Sequence, residues 1–363
     1  MIRRMLAACF LFAVPAFAQD SLPANLATAV DAAVRAEMEK QQVVGAAVGI
    51  IREGQIVYRK GYGLADRETK APVTVDSVFN WASNSKPLAA VLAMQLVEAK
   101  KLDLDADVRT YVPEFPDKGA KITTRHLLCH QSGIPHYSNG TIVPTVRAYT
   151  EKNPFLDPIH SLDKFNRSAL IFKPGEKVDY SSYAYILLSA VIQRAGKEPY
   201  HDQLMNRIAK PLGLPSLERD GTTNGQKHWT KGYLKSAKGE VVPAPEEAHD
   251  WKHGAGGYKS NVADFARWAK GLLDGQLVSK ATEATMWERQ KTADGKLTTW
   301  GLGFTVDEQG GLRVGHNGSQ PEATSRMVLY PKAKQAVVVL TNCRHASPTA
   351  ISTAIFSALR EKK

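Results

Sequence analysis

The chain has 363 residues, 43% of them hydrophobic and 23% charged, the composition of a soluble globular protein with a large core and room for two structural lobes. No internal repeat or low-complexity tract is visible. The formal net charge is +11, yet the lysines are scattered, with no dense basic run and no zinc-finger spacing. That charge suits anionic envelope polymers and lipids and argues against a nucleic-acid-binding module.

Arg3 and Arg4 precede an apolar run from Leu6 to Val14, and Ala16-Phe17-Ala18 follows. This is the pattern of a secretory leader over residues 1–18, cleaved before Gln19. The run is shorter than the roughly 20 apolar residues of a membrane span, so no stable membrane anchor is expected. The mature chain is placed in the periplasm or outside the cell. Cys9 leaves with the leader. Cys129 and Cys343 remain, either as one disulfide or, the preferred reading, as two buried thiols.

Residues 21–41 read as an amphipathic helix. Residues 45–66 read as strand, turn at Glu53-Gly54, and strand. Next comes "NSKPLAAVLAMQLV", apolar on most sides and so a buried helix. Ser83 and Lys86, three apart, share a face at its mouth, with Pro87 just inside. Residues 105–250 are rich in helix patterns, Pro and Gly, with one long helix at "SYAYILLSAVIQRAG". From about 300, antiparallel strands are expected, with short turns at Gln309-Gly310 and Pro331-Lys332, and "SPTAISTAIFSALREK" closes as a helix. Strands at both ends with helices between predict an α/β fold. Its antiparallel sheet is built from both termini and flanked by helices, with an inserted, mostly helical region. Residues 19–363 are expected to form a single catalytic domain, its α/β part at about 19–80 and 250–363 and its helical part at about 81–249.

Burying a lysine beside a hydroxyl is costly unless it has a task. A nucleophilic serine needs a base, and a lysine serves if burial lowers its pKa toward neutrality. At a helix start, backbone N–H groups and the dipole favour a developing oxyanion. Tyr180 precedes the long helix, where its phenol could face a cleft and hold or relay a proton beside a lysine. His316-Asn317-Gly318-Ser319 falls at a strand edge. Gly318 permits close backbone approach, and His316 could contact a substrate carboxylate or assist proton transfer. His126, Cys129, His130 and His136 invite a zinc reading, but Leu127 stands where H-E-x-x-H has its glutamate. They are read as a structural segment beneath the active site, with no metal. "HGAGGYKS" at residues 253–260 lacks the phosphate-loop frame and is read as a tight turn lining the cleft.

The ordered set Ser83-x-x-Lys86, Tyr180-x-Ser182 and His316-x-Gly318 resembles the serine beta-lactamase-like family, which includes class C beta-lactamases, D-alanyl-D-alanine carboxypeptidases, D-aminopeptidases and esterases. "ITTRHLLCHQSGIPHY", "FKPGEKVDYSSYAYILL", "IAKPLGLPSL" and "HGAGGYKSNVADFARW" are similar to family segments. The resemblance runs from about residue 25 to 360 and is strongest to the serine beta-lactamase-like peptidase subgroup. It implies that Ser83 is acylated, that Lys86 activates it, and that Tyr180 works with Lys86 as general base or acid. The backbone N–H groups of Ser83 and Ser319 would form the oxyanion hole. No cofactor is implied.

Two positions depart from the family pattern. Ser182 stands where class C enzymes carry Asn, and a serine reaches less far than an amide. His316 stands where many members carry a permanently cationic Lys. Both point to a peptidase, acting on D-alanyl or related peptide amides such as cell-wall peptides, or to an esterase for small esters. A weak class C-like beta-lactamase is a further alternative. A penicillin-sensing or scaffold domain is the non-enzyme alternative.

Overall fold

The computed structural model describes residues 21–221 and 228–360, so the expected leader lies outside the described residues. The amphipathic segment forms α1 (Ala24–Gln41), with Leu26, Val30, Val34 and Met38 buried at four-residue spacing. Strands β1 (Gly45–Arg52) and β2 (Gln55–Asp66) follow. Glu53 and Gly54, which join them, both have positive φ, the geometry of a tight primed hairpin turn.

Seven strands form one sheet. The others are β3 (Ala71–Pro72), β4 (Thr305–Asp307), β5 (Arg313–Gln320), β6 (Ala323–Tyr330) and β7 (Gln335–Thr341), in spatial order β3-β2-β1-β7-β6-β5-β4. Its pairings are antiparallel. β1 pairs with β7 from Ala46↔Thr341 to Ile51↔Ala336, so strands from the two ends of the chain meet in the middle of the sheet, as the sequence predicts. Gly310, with φ 76°, turns β4 into β5, and a short turn at Pro331–Ala333 joins β6 to β7.

Alternation divides the central strands between two cores. Ala46, Val48, Ile50, Val337 and Val339 pack with α1 and with α5 (Pro348–Arg360). Ala47, Ile51, Ala336, Val338 and Leu340 face the larger core, which includes α4 (Val262–Leu273). Gly49 lets α4 approach, because a Cβ there would stand 2.8 Å from Val338 Cγ2 and 3.1 Å from the Ala266 Cβ. The larger core also holds α2 (Ser85–Glu98) and α3 (Ser182–Gly196). α2 is buried from Ser85 through Met94, which is why it lacks a polar face.

Between α2 and α3 the chain is less helical than its patterning suggests. It holds only short helices, such as Thr124–Leu128 and Pro158–Ser161, and residues 141–150 are irregular. Prolines at 113, 116, 135, 144, 154, 158 and 174 account for this, since each removes a donor and restricts the residue before it. Cys129 and Cys343 are both free and buried. Cys343 sits in the core under α1 and α5, while Cys129 follows Leu127 and Leu128 of the other core.

Candidate active site

A short strand, Val78–Asn80, pairs with Tyr258–Asn261 and leads into a 3-10 turn at Ala82–Asn84, which runs directly into α2. Ala82 takes φ 49°, a left-handed conformation that costs a non-glycine residue on the order of 1 kcal/mol. The turn is bolted down from β6: Ser325 Oγ donates to the Trp81 carbonyl at 2.6 Å and accepts from Asn84 Nδ2 at 2.8 Å. β5 lies directly on it, because a Cβ on Gly318 would be 2.3 Å from the Trp81 carbonyl oxygen and 2.2 Å from Ser325 Oγ. The strain and the clamps present Ser83 half-buried at the floor of a cleft of about 620 Å³.

Lys86 lies one helical turn on and is completely buried. Its Nζ is 3.2 Å from Ser83 Oγ, 3.1 Å from Ser182 Oγ and 2.6 Å from the Ala255 carbonyl oxygen. Burial, and secondarily the Lys252 charge, hold its pKa well below that of an ordinary lysine. A neutral amine has two N–H donors and one lone pair. In the neutral form the two donors satisfy the Ala255 carbonyl and Ser182 Oγ, and the lone pair is presented to the Ser83 proton.

Tyr180 stands over this pair, with Lys86 Nζ 4.8 Å from its ring centroid. Burial raises its pKa, against the opposing pull of hydrogen bonds with the Ser83 and Ser182 hydroxyls. With its pKa raised by burial, Tyr180 keeps its proton. His130, His136 and Trp300 surround its ring, with centroids 4.4, 5.4 and 5.9 Å away.

The histidines weighed as zinc ligands hold backbone. His130 Nδ1 accepts the Ser181 N–H and His136 Nδ1 accepts the Ser182 N–H, each at 3.2 Å. An imidazole that accepts at Nδ1 must be neutral. Accordingly burial and neighbouring cations press His130 well below its ordinary pKa and His136 to about 4. Among the described residues no group of three or more His, Cys, Asp and Glu side chains is placed to hold a metal ion.

Ser83, Tyr180, Ser182, His316, Gly318 and Ser319 all line the cleft, and Lys86 sits beneath it. β4 pairs with β5 only from Arg313 to Gly315, so residues 316–320 form an open strand edge along the cleft. His316 is 4% exposed, and burial beside Lys86 lowers its pKa to about 3. Its Nδ1 is 2.5 Å from the Asn317 carbonyl oxygen, to which it donates, and Nε2 is left as an unpaired acceptor. A neutral acceptor does not attract a carboxylate, contrary to the first role expected for His316. The cations on the cleft are Lys252 and Arg344, the latter hydrogen-bonded to Ser319 Oγ. Sequence reasoning missed both, along with Tyr137 and Trp300. Isolated charges and aromatics in loops carry no local signal. The glycine-rich "HGAGG" was the exception: it does line the cleft, through Ala255 and Gly256.

The Beta-lactamase family matches residues 30–360. The chain belongs to the Beta-lactamase family. That span includes every residue placed at the cleft and both sheet-forming ends of the chain. It is 27% identical over 325 residues to "Protein flp" of Staphylococcus aureus (strain N315), covering 86% of this chain and 62% of that protein. It is 30% identical over 296 residues to the mitochondrial serine beta-lactamase-like protein LACTB of Homo sapiens, covering 64% of this chain and 54% of that one. The chain thus spans less than two thirds of the length of these curated relatives. The octameric penicillin-binding protein homologue from Pyrococcus abyssi superposes with a TM-score of 0.77 at 25% identity, over 93% of this chain and 78% of that one. This Beta-lactamase family member therefore shares the α/β architecture of penicillin-binding proteins, with the sheet assembled as the sequence predicts.

Proposed function

We propose that the protein is an exported serine hydrolase, a single catalytic domain over residues 19–363, that works through an acyl-enzyme on Ser83. The observation that carries this reading is the buried Lys86 amine 3.2 Å from Ser83 Oγ, with its pKa held well below that of an ordinary lysine. Lys86 removes the Ser83 proton as Oγ attacks the substrate carbonyl. The Ser83 and Ser319 N–H groups stabilise the oxyanion, and Tyr180 supplies a proton to the leaving atom. Water then releases the acyl group. These steps use side chains and backbone alone.

The substrate we infer is a peptide amide, D-alanyl or related, laid along the open edge of β5. Arg344 and Lys252 supply the positive charge for a substrate carboxylate, and the neutral His316 does not. Esterase activity is the second reading. It is favoured by Ser182, whose short hydroxyl already bonds to Lys86 and gives an acylamide side chain little to hold.

Intact mass after incubation with benzylpenicillin, with residual drug assayed in the same tube, tests the reading. A stable adduct absent in Ser83→Ala supports a peptidase that deacylates slowly. Consumption of the drug without an adduct makes the protein a beta-lactamase. An intact drug with no adduct moves the assignment to an esterase or a peptidase of other specificity. Ser83→Ala lowers turnover of any substrate at least about 1,000-fold, and adding Lys86→Ala to it costs little more, because the two act as one unit. Wild-type turnover in Ser83→Ala would overturn the proposal.

A further inference from the structure

Gln320 ends β5 and lines the cleft, yet it is only 6% exposed. Its side-chain amide joins three segments of the site. Nε2 donates to the Gly256 carbonyl at 2.7 Å, and Oε1 accepts from Asn80 Nδ2 at 3.3 Å. Asn80, also buried, ends the short strand that leads into the Ser83 turn, and the same Nδ2 donates to Asp220 Oδ2 at 2.8 Å. A carbonyl accepts and cannot donate, so Gly256 fixes which way the Gln320 amide points. Gly256 follows Ala255, whose carbonyl oxygen receives the bond from Lys86 Nζ at 2.6 Å.

The segment that carries these two carbonyls needs holding. His253 takes φ 45°, a strained conformation for a non-glycine residue, and the Gly256 N–H reaches back to the His253 carbonyl only at 3.3 Å. Ser161 Oγ meets His253 Nε2 at 3.1 Å, and Ser189 Oγ accepts the Gly254 N–H at 3.1 Å, which ties the start of the segment to the helical region. The Ala255 and Gly256 carbonyls that follow go to Lys86 and to Gln320. We propose that Gln320 is a positioning residue: it holds residues 255–256 in place from β5, so that the Ala255 carbonyl keeps Lys86 Nζ within reach of Ser83 Oγ. The inference rests on the acyl-enzyme reading above, and Gln320 acts through Lys86 rather than on the reacting atoms.

This role has its own signature in the pH profile. A carbonyl acceptor favours the ammonium form of Lys86 over the amine, because a charged donor bonds more strongly. Loss of that bond therefore moves the Lys86 pKa down, and the acid limb of kcat/KM with it. General loosening of the site admits water, relieves the burial that depresses the pKa, and moves the limb up toward the ordinary lysine range. Displacement of Ser319, the neighbour of Gln320 on β5, lowers the rate and leaves the limb in place. The other titratable groups facing Lys86 do not confuse the reading. His130 lies well below its ordinary pKa, His136 at about 4 and His316 at about 3, so all three are neutral where the amine works. Tyr180 and Tyr185, whose rings face Nζ, keep their protons, and the substitutions leave Lys252 in place.

The test is the pH profile of kcat/KM on p-nitrophenyl butyrate for wild type, Gln320→Met, Asn80→Ala and Ser83→Ala, with thermal unfolding as a check on folding. Gln320→Met keeps the length of the side chain and removes both hydrogen bonds. It is expected to lose about tenfold in the plateau rate and to move the acid limb down by about 0.5–1 pH unit. Asn80→Ala leaves the Gly256 bond and frees the other side of the amide, so it moves the limb the same way by less. A limb that stays in place or moves up in Gln320→Met, or a wild-type rate at every pH, would overturn the proposal while leaving the acyl-enzyme reading intact. Should Gln320→Met fail to fold, Asn80→Ala decides by the same criterion. If Ser83→Ala hydrolyses the ester as wild type does, or wild type does not hydrolyse it, the acyl-enzyme reading itself fails, and the role of Gln320 with it.

Discussion

Lys86 shows how one buried side chain sets both activity and stability. Its folded pKa is depressed by burial, so the unfolded chain takes up a proton that the folded chain does not. The unfolded state therefore binds more protons below the ordinary lysine pKa, and stability falls as pH drops from about 10 toward 7. Lys86→Met is expected to abolish turnover and to stabilise the fold by about 1–2 kcal/mol at pH 7. That gain narrows as pH approaches 10. Denaturant melts of both proteins across this range check it, and a pH-independent gap would contradict the linkage. Activity requires the neutral amine, so kcat/KM rises with pH through the Lys86 pKa. His316, displaced to about 3, is already neutral over that range. The acid limb of kcat/KM is expected to stay in place in His316→Asn, whatever happens to the rate. A limb that disappears would reassign the titration to His316.

At the scale of elements, the site depends on how closely β5 packs on the turn before α2. A Cβ at Gly318 collides with both the Trp81 carbonyl and Ser325 Oγ, which are themselves hydrogen-bonded to each other. Gly318→Ala must push the strand edge away from Ser83. The expected cost is about 1–3 kcal/mol of stability and at least about a tenfold loss in kcat/KM, since Ser319 moves with its strand. Unchanged kinetics in this variant would mean that the strand edge is not part of the reacting geometry. The N-terminus of α3 is fixed differently, by the His130 and His136 imidazoles. Those two histidines were legible in the sequence as a cluster and as a structural segment beneath the site. Their targets, the Ser181 and Ser182 N–H groups, were not, because about fifty residues of irregular chain separate donor from acceptor.

For the whole molecule, the two buried thiols report on cooperativity. Cys343 lies in the core under α1 and α5, Cys129 is buried next to Leu127 and Leu128 of the other core, and both are unpaired. Burial raises the pKa of both, that of Cys129 to about 12, so neither reacts readily in the native state. Alkylation with peptide mapping is expected to label them only in denaturant, and together. Labelling of Cys343 alone in native buffer would show that the α1–α5 layer opens independently of the rest.

The amphipathic α1, the β1–β2 hairpin, the all-round apolar α2 and the alternating strands at the C-terminal end are local patterns of period 3.6 or 2. These elements, the nearness of Ser83 to Lys86 one turn on, and the assembly of the sheet from both ends of the chain are legible in those local patterns. The state of the site groups follows from packing between distant segments. Lys86 has its pKa held well below that of an ordinary lysine by burial among distant segments and, secondarily, by the Lys252 charge. Burial also keeps the proton on Tyr180. His316 is an acceptor because its own strand takes its N–H. Desolvation is set by what other segments bring to a side chain, and no window of neighbouring residues contains that information.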